Sequence, residues 1–155
     1  GMDKFLQKAQ EFGIKGTIIP DLPFEMAENF EELFKKYNKA NISFVAPTDS
    51  EERIKQIVTD SQKFIYMVAY AGITGSGQKE DLSQIIENVR KYSQTPLYIG
   101  FGVDEKTCKE KIVGVDGVIV GSAFVKHILD DSLSNDEKIK KISAIAKEIK
   151  EKINE

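Results

Sequence analysis

Short apolar runs that stop at glycine or proline, each leading into a helical pattern, recur along the whole chain and leave few folds open to it. The two clearest examples are Tyr98-Ile99-Gly100-Phe101-Gly102 and Val118-Ile119-Val120-Gly121-Ser122, about twenty residues apart. A strand that ends at glycine and feeds a helix is how a parallel α/β protein builds a phosphate site.

The same pattern runs through the rest. Phe5, Leu6, Ala9 and Phe12 share one face of a helix over 3–12, and Gly13 stands where a helix end needs a residue tolerant of positive φ. Thr17-Ile18-Ile19 reads as a short buried strand ended by Pro20, followed by helical spacing at Phe30, Leu33, Phe34 and Tyr37. Residues 41–46 form the next strand, and Ser50 caps a helix burying Ile54, Ile57 and Val58. The near-continuous apolar run 64–70 predicts a strand covered on both faces. Asp81 and Gln84 stand at capping-box spacing before Leu82, Ile85, Ile86 and Val89. Residues 97–101 give the fourth strand. A short helix from about Asp104 turns Cys108 and Ile112 inward, and 117–120 is the fifth strand. Ser122 caps a helix over 123–129. Ser134 and Glu137 make a capping box for a last helix with Ile139, Ile142, Ile145, Ile149 and Ile153 on one face.

About five strands thus alternate with about six helices, and no hairpin signal interrupts them. Strict alternation admits an open doubly wound sheet or part of a (βα)8 barrel, and periodicity does not choose between them. With 155 residues, 41% of them hydrophobic, the chain suits a single domain over 1–155. A net charge of -3 with Lys and Glu interspersed supplies no basic field, so no nucleic-acid partner is expected. One cysteine excludes an internal disulfide. No apolar run is long enough for a bilayer and no signal core opens the chain, so no membrane partner and a cytoplasmic location are expected. Gly1 ahead of Met2 reads as a tag remnant.

Taken together, Ile18-Ile19-Pro20-Asp21-Leu22-Pro23, Phe64-Ile65-Tyr66, Gly72-Ile73-Thr74-Gly75, Gly100-Phe101-Gly102-Val103 and Gly117-Val118-Ile119-Val120-Gly121-Ser122 closely resemble the tryptophan synthase alpha chain family, in its order and near its spacings. The resemblance runs from the opening helix to the end. It implies the C-terminal part of a (βα)8 TIM barrel lacking the first three strands, about three-fifths of the family pattern. It also implies the family's lyase activity, a retro-aldol cleavage of indole-3-glycerol phosphate to indole and glyceraldehyde 3-phosphate in tryptophan biosynthesis. Indole then passes to a pyridoxal-phosphate beta chain. The family's catalytic Glu and Asp belong to strand two and its loop, so this segment is expected to be inactive alone, with no catalytic residue of its own.

By the same resemblance Gly75, Gly102, Gly121 and Ser122 bind the substrate phosphate, Tyr66, Thr74 and Phe101 form the pocket and lid, and Pro23 and Gly72 face the beta chain. For each there is a plainer alternative. Glycines end strands and Ser122 merely caps a helix; the loop 71–79 is an ordinary connection rather than a lid; Tyr66 and Phe101 fill core. Asp21 is the only carboxylate at a strand end within a motif, and Asp-x-Pro reads first as a turn device with a share in beta-chain docking. His127, the only histidine, lacks a triad or metal constellation and reads as structural, while Cys108 behaves as a small apolar residue. No metal and no cofactor are implied in this chain. Open edges of a five-strand sheet are a liability, so self-association or pairing with an N-terminal complementing segment is expected. The alternatives are a non-enzymatic module that binds a beta chain, and another sugar-phosphate barrel enzyme with Asp21 as base.

Overall fold

A computed structural model describes residues 1–69 and 82–155. Its strands are β1 (Gly16–Thr17), β2 (Ala40–Asn41), β3 (Ser43–Val45), β4 (Ile65–Val68), β5 (Leu97–Gly100) and β6 (Gly117–Ile119). The helices are α1 (Met2–Glu11), α2 (Phe24–Ala27), α3 (Glu31–Lys36), α4 (Glu51–Thr59), α5 (Ser83–Tyr92), α6 (Cys108–Lys111), α7 (Ser122–Ile128) and α8 (Asn135–Ile153), with a 3-10 turn over Glu28–Phe30.

All pairings are parallel. β1 pairs with β2, and β3, β4, β5 and β6 form a second sheet in that order. Ile42 alone separates β2 from β3, and its N–H donates to the Thr17 carbonyl at 3.0 Å. The expected strand over 41–46 is therefore one run that serves β1 with its first half and β4 with its second. Five strand positions follow one another in chain order, each linked by a helical crossover, which is the arrangement of a barrel segment. This settles the choice between a doubly wound sheet and a barrel.

The core lies between the sheet and its helices. Val45, Ile65, Met67, Ala69, Leu97 and Ile99 pack against Ile54, Ile57 and Val58 of α4 and Ile85 and Val89 of α5. Ser50 caps α4 as expected, accepting from the Arg53 N–H at 3.3 Å. A smaller cluster joins Val103 and Cys108 to Ile149 of α8, with Ile145 and Ile153 alongside. The expected capping box is present: Ser134 N–H donates to Glu137 at 2.8 Å and the Glu137 N–H returns to the Ser134 hydroxyl at 3.4 Å.

Several expectations are corrected. β4 is buried on one face only, alternating Ile65 and Met67 inside with Tyr66 and Val68 half-exposed, because among the described residues no second layer covers the other face. β1 stops after Thr17, leaving Ile18 49% exposed, since among the described residues this strand has a partner on one side alone. Phe5 and Phe12 of the α1 stripe are exposed for the same reason, while Leu6 and Ala9 are buried. Ile139 likewise stays outside the α8 contact. The helix expected from Asp104 begins at Cys108, because Asp104 and Thr107 tie the preceding residues into a turn. Helix α2 went unforeseen: four residues are too few for a period to show. Asp81 of the expected capping box lies outside the described residues; α5 starts at Ser83 after Leu82.

Candidate functional site at the C-terminal strand edge

In parallel register every strand leaves the sheet at one edge. Val68 lies beside Gly100 and Gly100 beside Ile119, so the segments after β4, β5 and β6 emerge side by side. In parallel barrels this rim is where loops from successive strands meet a ligand.

Tyr66 stands just inside the rim. Its ring stacks on Phe44 at 5.1 Å between centroids and meets Phe101 edge-on at 6.1 Å. The phenol lies over β5 only because residue 100 is glycine: a Cβ there would sit 2.0 Å from the Tyr66 hydroxyl oxygen. Burial pushes the Tyr66 phenol above its ordinary range, so it stays neutral and able to donate.

Phe101 holds φ +72, a left-handed conformation that a bulky side chain rarely adopts, and Gly102 follows at φ +64. Such backbone costs about 1–3 kcal/mol and persists where the surroundings over-determine it. Here it turns the chain sharply off β5 and leaves Phe101 55% exposed against the Tyr66 edge. The next residues fix the turn. The Gly102 carbonyl accepts from the Thr107 hydroxyl at 2.7 Å, and Asp104 accepts from the N–H groups of Lys106 and Thr107, both at 2.9 Å. Partial burial opposes the charge on Asp104, but these donors outweigh it and hold the carboxyl below its usual range.

After β6, Gly121 occupies the N-cap of α7 and its carbonyl accepts from Phe124 and Val125 at 2.9 and 3.1 Å. The expected Ser122 cap is thereby corrected. Ser122 is the first helical residue and makes no side-chain cap bond, being one position too far along to reach the orphan N–H groups from outside. A Cβ on Gly121 would meet nothing within 4 Å, so open space faces this helix start. First-turn N–H groups have no intrahelical acceptor and suit an anion.

The other expected residues fall as follows. Pro20 and Asp21 fill a turn closed by Leu22 N–H to the Ile19 carbonyl at 3.1 Å, matching the turn reading, and Asp21 is exposed. Pro23 is the exposed N-cap of α2. Behind it Arg53 ties Glu25 of α2 to Asp49 ahead of α4, and Asp49 also accepts from the Ala46 N–H at 2.7 Å. Gly72, Thr74 and Gly75 lie outside the described residues. Cys108 is fully buried. Among the described residues no group of three or more His, Cys, Asp or Glu side chains is placed to hold a metal, and no helix is long and apolar enough to cross a membrane. Sequence reasoning marked Gly100 only as a strand-ending glycine and did not single out Phe44 or Thr107. For Phe44 the only signal was the short strand over 41–46.

Strand order, common rim and glycine-marked exits define an α/β protein with a partial parallel barrel. The family model of the tryptophan synthase alpha chain matches residues 1–154. The chain belongs to that family. It is 53% identical over 155 residues to the tryptophan synthase alpha chain of Wolinella succinogenes, covering 99% of this chain and 61% of that one. With the alpha chain of Petrotoga mobilis it shares 41% over 153 residues, 97% of this chain and 59% of the other. Among solved structures, the alpha subunit from Campylobacter jejuni superposes with a TM-score of 0.81 at 33% identity, over 94% of this chain and 59% of that one. The alpha chain from Legionella pneumophila gives 0.79 at 27%, over 99% and 57%. The chain thus spans about three-fifths of the length of the relatives it matches.

Proposed function

We propose that this chain is the phosphate-binding portion of a tryptophan synthase alpha-type lyase, a single-domain segment corresponding to the last five strands of the barrel and working in the cytoplasm. The supporting observation is the side-by-side exit of β5 and β6, with Gly102 and Gly121 at adjoining strand ends. Gly102, Gly121 and Ser122 present backbone N–H groups to the phosphate of indole-3-glycerol phosphate. Gly75 and Thr74, which lie outside the described residues, are assigned to the phosphate site and the lid by the family resemblance alone. Tyr66 and Phe101 form the aromatic wall against which the indole packs, with the neutral phenol donating toward the substrate.

Retro-aldol cleavage of the carbon–carbon bond requires an acid to protonate the indole ring carbon that keeps the bonding pair and a base to take the proton of the side-chain hydroxyl, which becomes the aldehyde of glyceraldehyde 3-phosphate. The matching Glu and Asp fall in the first three strands of the family pattern, so on this reading the chain binds without turnover. Expected affinity is of order millimolar, since a few N–H donors and one helix start contribute about 4 kcal/mol. Calorimetric titration with indole propanol phosphate tests this. Saturable binding that Gly121→Asp abolishes supports the site, and a flat titration from folded protein overturns it. Indole release from the chain mixed with a separately made N-terminal alpha-chain segment, and from neither alone, supports the division of labour. Activity of the chain by itself points to the other barrel chemistry with Asp21 as base.

A second reading, a module that binds a beta chain, draws on the fastening of α2 by Arg53 behind Pro23. Pro23 and Gly72 then carry the interface. Pro23→Glu abolishes co-elution with a beta chain on this reading while Gly121→Asp leaves it intact.

A further inference from the structure

The turn after β5 leaves two backbone donors without a partner. β5 lies between β4 and β6, so this turn borders neither end of the sheet. The N–H groups of Gly102 and Val103 donate to no acceptor among the described residues, although Val103 is only 4% exposed. A buried N–H seldom stays unpaired, since leaving it so costs as much as a lost hydrogen bond. The Val103 side chain is anchored on the other side of the turn, packed with Cys108 and Ile149.

One hydroxyl decides how these donors point. Thr107 Oγ1 donates to the Gly102 carbonyl at 2.7 Å and accepts from the Asp104 N–H at 3.0 Å, so it bridges the backbone on both sides of Val103. It also lies 3.0 Å from the Asp104 carboxylate, but that oxygen already accepts from the Lys106 and Thr107 N–H groups. The hydroxyl has one proton, and the Gly102 carbonyl is the nearer acceptor. In a trans peptide the carbonyl and the following N–H point in opposite directions. With the Gly102 carbonyl drawn to Thr107, the Val103 N–H is turned to the other side. Nothing in Gly102 itself makes that choice, because glycine accepts the peptide either way round. Turned over, the same peptide would set a carbonyl oxygen, the negative end of its dipole, where the N–H now stands, and an anion there would be repelled.

We infer that Thr107 is a positioning residue for the phosphate group: its hydroxyl fixes the Gly102–Val103 peptide so that the Val103 N–H joins the Gly102 N–H in facing the anion. Thr107 acts through the backbone and does not touch the ligand. The inference rests on the phosphate reading above and adds to it one donor and the group that aims it.

Amide-resolved NMR titration of the full chain tests it, with indole propanol phosphate and with indole propanol, which lacks the phosphate. Thr107→Val keeps the shape and loses the hydroxyl. It is expected to weaken the phosphate ester about ten-fold, the worth of one hydrogen bond to a charged group, and to leave indole propanol unchanged. Thr107→Ser keeps the hydroxyl and restores the parental affinity. In the unmodified chain the Gly102 and Val103 amides are expected to exchange several-fold more slowly once the ester is bound, a readout that stands should Thr107→Val fail to fold. An equal loss for both ligands makes Thr107 a structural brace only and overturns the inference. So do a Thr107→Val chain that binds the ester like the parent, a Thr107→Ser chain as weak as Thr107→Val, or a Val103 amide whose exchange the ester leaves unchanged. In each of these the phosphate reading survives. No saturable binding of the ester by the folded, unmodified chain instead overturns that reading, and this inference with it.

Discussion

Residue 100 shows how one missing side chain sets a site. With glycine there, the Tyr66 phenol lies across β5; with alanine, the new Cβ collides at 2.0 Å with the hydroxyl oxygen and at 2.3 Å with the ring carbon bearing it. Gly100→Ala is expected to cost about 1–3 kcal/mol, the range for forced overpacking. A melting temperature several degrees lower in calorimetry checks it. Tyr66→Phe is expected not to rescue the variant, because the ring carbon still clashes, whereas Tyr66→Ala restores part of the loss. A Gly100→Ala protein as stable as the parent would mean that the phenol moves aside freely. Phe101 is the neighbouring case: its φ of +72 is a cost borne by the turn that aims it at the rim. Phe101→Gly is expected to relieve about 1 kcal/mol of backbone strain while weakening binding of an aromatic phosphate ester, so stability and affinity move in opposite directions.

At the scale of elements, local bonds decide where chains turn and where they start. Ser134→Ala removes one half of the α8 capping box and is expected to cost about 1 kcal/mol, read from the denaturation midpoint at unchanged slope. The rim turn after β5 depends on charge. Asp104 is held below its ordinary range by the Lys106 and Thr107 donors against partial burial, and Asp116 by the Leu97 N–H and Arg90, again against burial. Both folded-state values are depressed relative to the unfolded chain. Their stabilisation is therefore fully present above the unfolded carboxylate range, about pH 4, and is lost as pH falls through the lower folded values. Urea titrations between pH 7 and pH 2 are expected to show stability falling below about pH 4. Asp104→Asn flattens that fall and lowers the plateau; an unchanged acid limb would remove Asp104 from the account.

For the whole molecule, the unequal cover of the sheet governs how it opens. β4 and β5 have strands on both sides and the dry α4 and α5 helices behind them, whereas β1 and β6 each have one strand neighbour among the described residues. Amide exchange is expected to be slowest at Ile65, Met67, Leu97 and Ile99 and fastest at Thr17 and Ile119, by several orders of magnitude. Equal protection along all strands would show that the edges are already paired.

The sequence by itself determined the alternation of strand and helix, the parallel order, the α4 and α8 caps and the glycine-marked exits after β5 and β6. These are local: a period, a capping hydroxyl or a chain break at glycine is written within a few residues of where it acts. It also carried the Phe5, Leu6, Ala9, Phe12 stripe, but which part of that stripe meets a neighbour depends on what lies beyond β1. Tertiary structure alone decided that, among the described residues, only one face of β4 is covered, that β2 and β3 divide one run between two partners, and that Gly121 rather than Ser122 caps α7. It likewise placed Tyr66 over Gly100 and set Phe101 in a left-handed turn. The position of Tyr66 and the division of the β2–β3 run are fixed by partners about twenty or more positions away, while the Phe101 turn and the Gly121 cap are set by backbone geometry within a few residues, and neither kind leaves a periodic mark in the chain.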